Sequence, residues 1–166
     1  MKHRGASSYI KLAGTAALFF VIYFLLASPV MVMTISHQET GDIYWSQRVH
    51  ARDVLEYEWI HSFELIPYTE EFVIEEEGSL RLMTITVAGF GAGIPENKGD
   101  MTIRDGLVVM ENINEIFEAI KWIHTTTNLT RINLNGEEIL KGTDLPHHEA
   151  FYLEVEERSR IWTLQN

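Results

Sequence analysis

Hydrophobic and polar positions change their pattern near residue 37. From Leu12 to Ser36 there is no charged residue. As a helix, this run of about 25 residues measures about 37 Å, against roughly 30 Å for a hydrocarbon core. Lys2, His3, Arg4 and Lys11 precede or open it. The pattern predicts a cytoplasmic basic segment, 1–11, and a single-pass transmembrane anchor, 12–36. The basic side faces inward and the rest of the chain lies outside the cell membrane. A cleaved signal sequence is the alternative. Its best cleavage site, Thr34-Ile35-Ser36, is poorly formed, and the run exceeds the usual apolar region of such peptides.

After a polar linker, 37–42, the period becomes two. In Val54–His61, Leu55, Tyr57, Trp59 and His61 share one face, and Glu56 and Glu58 take the other. Beyond Pro67, Tyr68–Glu76 sets Phe72 and Ile74 against Glu71, Val73 and Glu75. Ile43–Val49, Leu80–Ala88, Met101–Arg104, Leu107–Met110, Ala119–Thr127, Arg131–Leu134, Glu137–Leu140, Ala150–Glu156 and Arg160–Leu164 also read as strands. Asp105-Gly106 and Asn135-Gly136 are hairpin turns. Asn112–Glu118 is ambiguous between extended chain and one or two helical turns. Short strands at even spacing, with little helix, predict an all-β domain over 43–166. Its architecture is an antiparallel β-sandwich or a partly closed barrel, preceded by one transmembrane helix.

Composition narrows the function. An apolar fraction of 46% excludes a disordered chain. The net charge of −11 excludes a nucleic-acid partner, which would need clustered Lys and Arg. All 24 acidic residues and 10 of the 13 basic ones lie beyond Ser36, so the outer part carries about −14. The absence of cysteine removes disulfides, thiolate metal sites and thiol nucleophiles.

Two stretches concentrate chemistry. In Glu58–Glu71, His61 with Glu64, Glu70 and Glu71 offers imidazole and carboxylate to a divalent cation, although the spacing matches no metal signature. A structural His61 bonded to Ser62 or Glu64 is the simpler reading. Ser62 and His61 are chain neighbours on an extended segment, so they point to opposite faces and form no nucleophile–base pair. In Gly89–Pro95, three glycines permit positive φ or close backbone approach. That loop is a tight connection, or a cradle whose N–H groups hold a ligand carboxylate. Asp144, His147, His148 and Glu149 form a polar loop with weaker metal potential.

His61-Ser62-Phe63-Glu64, then Pro67 and Glu70, resembles the "His-Ser-Val-Glu, Pro, Glu" signature of the bacterial family called domain of unknown function 1850. Phe90-Gly91-Ala92-Gly93-Ile94-Pro95 resembles its "Phe-Gly-Ala-Gly-Leu-Pro" signature, in the same order. Phe63 and Ile94 depart conservatively from Val and Leu. The resemblance covers roughly residues 40–155. It implies a small exported or membrane-anchored protein associated with tripartite (TRAP) transporters that use TAXI solute receptors. It carries over no catalytic residue.

The expectation is therefore a non-enzymatic accessory or binding module of such uptake, with no resident cofactor. Its partners are the membrane, transporter subunits or a small organic solute. Its candidate ligand-binding residues are His61, Ser62, Glu64, Glu70, Phe90, Gly91, Gly93 and Pro95. The alternatives are a metal-binding or metal-dependent enzyme centred on His61 and Glu64, and a structural envelope protein.

Overall fold

The computed structural model describes residues 5–91, 95 and 98–160. Its described residues fall into two compact units, one of 31–156 and one that groups 5–30 with 157–160. In the end unit, helix α1 spans Gly5–Ala27. Ser28 Oγ donates to Phe24 O (2.9 Å) and so satisfies one carbonyl of its last turn. Leu18 to Phe24 are exposed. Among the described residues, no helix is long and apolar enough to cross a membrane.

The uncharged run 12–36 is not one span. Pro29–His37 is strand β1, and Val32, Met33 and Ile35 are fully buried in the core. Pro29 cannot continue a helix, and it disfavours helical geometry at Ser28. The β-branched Val30, Val32, Thr34 and Ile35 then favour extended chain. A strand buried on both faces loses the alternation that would separate it from a membrane segment. The domain therefore begins at β1, and the expected linker shrinks to the turn after His37. Without residues 1–36, the fragment from His37 loses these three core side chains, each contributing about 1.5–3 kcal/mol. It also leaves two strands without a partner between them. We expect no cooperative melt from this fragment by circular dichroism; a sharp transition would show that β1 is dispensable.

The larger unit holds two open antiparallel sheets. The smaller sheet has the order β2 (Ile43–Arg48), β1, β12 (Ala150–Ser159), β9 (Ala119–Ile123). The larger runs β11 (Glu137–Lys141), β10 (Leu129–Leu134), β3 (Val54–Ile60), β4 (Pro67–Ile74), β5 (Leu80–Val87), β7 (Leu107–Glu111), β6 (Asp100–Arg104). A short β8, Glu115–Phe117, also pairs with β5, which settles the ambiguous stretch as extended. Neither sheet closes on itself, so the barrel alternative is not formed. The expected last strand, Arg160–Leu164, lies beyond Arg160 outside the described residues.

Turn chemistry sets the hairpins. Asn135 and Gly136 both take positive φ (51° and 81°), as do Asp105 and Gly106 (52° and 82°). Paired left-handed residues match the twist of the strands they join. Buried side chains from both sheets form one cluster, including Ile35, Leu55, Phe72, Ile85, Met110, Ile132, Phe151 and Leu153.

Candidate functional site

Register places one carboxyl on the wrong side of the larger sheet. Tyr57 of β3 faces Glu70 of β4, Glu70 faces Ile85 of β5, and Ile85 faces Met110 of β7. Tyr57, Ile85 and Met110 are buried, as are Tyr68, Phe72 and Ile74 on alternate positions of β4. Glu70 therefore stands on the core face. Burial pushes its carboxyl up to about 7, against the opposing pull of the Lys98 ammonium. Burial, with the nearby Glu70 charge, also raises the Tyr57 and Tyr68 phenols, which stay protonated.

Glu70 lines a cavity of about 540 Å³. Its apolar wall includes Tyr57, Trp59, Phe72, Phe117 and Trp122. These rings pack edge to face: Tyr57 on Trp122 (5.8 Å), Tyr57 on Phe72 (6.3 Å) and Phe72 on Phe117 (5.9 Å). Trp59 packs likewise on Tyr68 (5.1 Å). Ser62, Lys121, Thr125 and Asn128 add polar groups. Asn128 is fixed by donating to Ile60 O (3.1 Å) at the end of β3.

Three polar atoms of these residues are enclosed in the packing, closed to the cavity space, and have no hydrogen-bond partner among the described residues. They are Tyr57 Oη, Trp59 Nε1 and Trp122 Nε1. Each such group costs about 1–3 kcal/mol when left unpaired, and most buried polar groups in folded proteins are paired. A cavity with apolar walls and a few convergent polar groups has the build of a small-molecule site.

The two stretches singled out in the sequence meet beside this cavity. His61 N donates to Ile66 O (2.8 Å) and Leu65 N to His61 O (2.9 Å), which closes the loop after β3. Within it, Glu64 N donates to His61 Nδ1 (3.3 Å). The Glu64 side chain then lies against Gly91, where an added Cβ would overlap its carboxyl. Ile66 approaches Gly89 less closely, its Cδ1 3.3 Å from where a Cβ would stand. The family described as "Domain of unknown function (DUF1850)" matches residues 55–140, which contain both stretches. The chain belongs to this family. No curated protein and no solved structure matches it.

The DUF1850 region runs from β3 to β11 and supplies every cavity residue named above. Of the residues expected from sequence, Ser62 and Glu70 line the cavity. His61, Glu64, Phe90, Gly91 and Pro95 do not. Gly93 lies outside the described residues. Phe63, Leu65 and Phe90, all on the paired loops, are exposed. Among the described residues, no group of three or more His, Asp or Glu side chains is placed to hold a metal ion. In the second candidate cluster, His147 Nδ1 accepts from Thr126 N (3.1 Å), while Glu149 pairs with His37 Nε2 (3.0 Å). The His147 and His148 rings lie against each other (3.8 Å), and Asp144 Oδ2 accepts from Lys141 N (2.8 Å).

The sequence pattern places Tyr57 and Trp59 on an apolar face and Trp122 within a strand, and marks none of them as part of a site. Their signal is chemical. Tyr and Trp bring a polar atom to any core they join, and that atom usually needs a partner.

Proposed function

We propose that this DUF1850 protein is a non-enzymatic binding module for a small, largely apolar organic molecule. The observation that carries this is the cavity of about 540 Å³ with its aromatic wall and the Glu70 side chain on its lining. The module works outside the cell membrane, held by the N-terminal apolar segment, as an accessory to TRAP-type solute uptake. Basic residues before an uncharged stretch, and the exposed apolar run Leu18–Phe24 of α1, support the anchored arrangement. The family resemblance supports the link to uptake.

Binding is tested by melting the full chain with a panel of small organic acids, amines, amides and alcohols. A ligand of the native state adds about 2.7 kcal/mol of stability at a hundredfold excess over its Kd. The expected shift disappears in Trp122→Ala, provided that variant still melts cooperatively. A panel without a single shift would overturn the reading. The link to uptake is tested separately by cross-linking in membranes: recovery of a transporter subunit supports it, and its clean absence removes it.

A further inference from the structure

We propose that the cavity takes a primary amine with a compact apolar body, its ammonium paired with the Glu70 carboxylate and its body filling the aromatic space between the sheets. This rests on the binding reading above and names its ligand class.

The open surface of Glu70 decides the class. Among the described residues, it supplies the only carboxyl on the cavity lining. It is half-buried on the core face, and no described residue donates a hydrogen bond to it. The indole nitrogens and the Tyr57 hydroxyl are enclosed, but the Glu70 oxygens are not. An ionised carboxyl only accepts, so its complement is a donor, and a charged donor bonds it about twice as strongly as a neutral one. The rest of the wall suits the same head group, because aromatic rings attract a cation within about 6 Å. The acidic domain, at about −14, draws cations from solution. A carboxylate ligand would instead meet a like charge in a site of low dielectric.

The groups facing Glu70 leave it as the one that changes charge near neutrality. Tyr57 on β3 and Tyr68 on β4 are phenols that burial keeps protonated. Strands β5 and β7 present Ile85 and Met110, which do not titrate, and β8 presents Phe117. Lys98 acts on Glu70, but its Nζ donates to Glu115 Oε2 (2.6 Å). Lys121 of β9 lines the cavity from an exposed position, where solvent screens its charge. The His61 ring lies tilted on Tyr68 (6.2 Å) and is not on the lining. Entry of an ammonium therefore sends one proton from Glu70 to solvent wherever the free carboxyl carries it, and none where it is already ionised.

The probes are phenylpropylamine, phenylpropanol and phenylpropanoate, which share a body and differ in head group. Each is titrated against the full chain, with tryptophan fluorescence as the readout. Because free Glu70 titrates at about 7, the amine should bind about tenfold more tightly at pH 8 than at pH 6. The alcohol should bind at least about tenfold more weakly than the amine at pH 8 and vary less with pH. Glu70→Gln should cost the amine about tenfold or more at pH 8 and remove its pH dependence. Glu71→Gln takes the same charge from the opposite face of β4 and should leave both intact; an equal loss there would overturn pairing at Glu70 in favour of the general field. Equal binding of alcohol and amine, unchanged by pH, would overturn the cation class while leaving a binding cavity. So would binding of the acid without the amine. Silence from all three probes overturns the amine proposal. Silence from the wider panel as well would take the binding reading with it.

Discussion

Glu70→Gln makes the protein more stable at pH 8 by about 2–3 kcal/mol and leaves it nearly unchanged near pH 4. The ordinary value for this carboxyl is 4.5, and burial raises it to about 7. The folded state thus holds a proton that the unfolded state has released. Its stabilising effect is complete below 4.5 and is lost as pH rises through 7, because ionisation inside the core is then required. Glutamine keeps the shape and never ionises. Partial access to solvent trims the effect below what the full shift would give. Urea unfolding of both proteins at pH 5 and pH 8 measures it; equal losses on going to pH 8 would refute a core-facing Glu70. The comparison must be made between variants. His124 is fully buried, its Nε2 lies 2.8 Å from Gly142 O, and burial lowers its pKa. It therefore loses stability as pH falls below its ordinary 6.5, the opposite sign over an overlapping range.

Phe151→Ala is expected to cost about 3–5 kcal/mol, as for other large aromatic truncations in closed cores. Phe151 is wholly buried on β12. Its ring meets His37 (5.6 Å), Tyr44 (5.1 Å) and His124 (5.9 Å) edge to face and lies tilted on Trp122 (5.9 Å). Through Trp122 it backs the cavity wall. Truncation should therefore reduce any ligand-induced melting shift as well as stability, at temperatures where the variant remains folded. Phe151→Leu preserves most of the volume and should lose less than half as much. A loss under 1 kcal/mol for the alanine variant, by denaturant melts, would contradict the packing described.

The strands that read cleanly in the sequence are those with one wet face. Val54–Ile60 alternates because Leu55 and Tyr57 enter the core while Glu56 and Glu58 meet Asn133 and Arg131 outside it. β1 failed for the converse reason, since burial of both faces erased the period. Glu70 was half legible. The two-residue period that groups Phe72 with Ile74 also groups them with Glu70, but a carboxylate is ordinarily assigned to the solvent face. The cavity was not legible at all. Trp122 reaches Tyr57 only because β9 and β3 belong to different sheets that pack together, and nothing local encodes that pairing. The contact between Glu64 and Gly91 likewise depends on β4 and β5 bringing their ends together.

The central pair of the smaller sheet joins the beginning of the domain to its end: β1 closes at His37, and β12 opens only at Ala150. A ribosome or export channel delivers β1 first, and about 110 further residues must follow before its neighbour exists. During that interval Val32, Met33 and Ile35 have no core to enter, and one edge of their strand is open. Formation of this sheet is therefore a late, long-range event with a large loop-closure cost. Nascent chains stalled before β12 should bind holdase chaperones and be cut by proteases, whereas chains released past Ser159 should resist both.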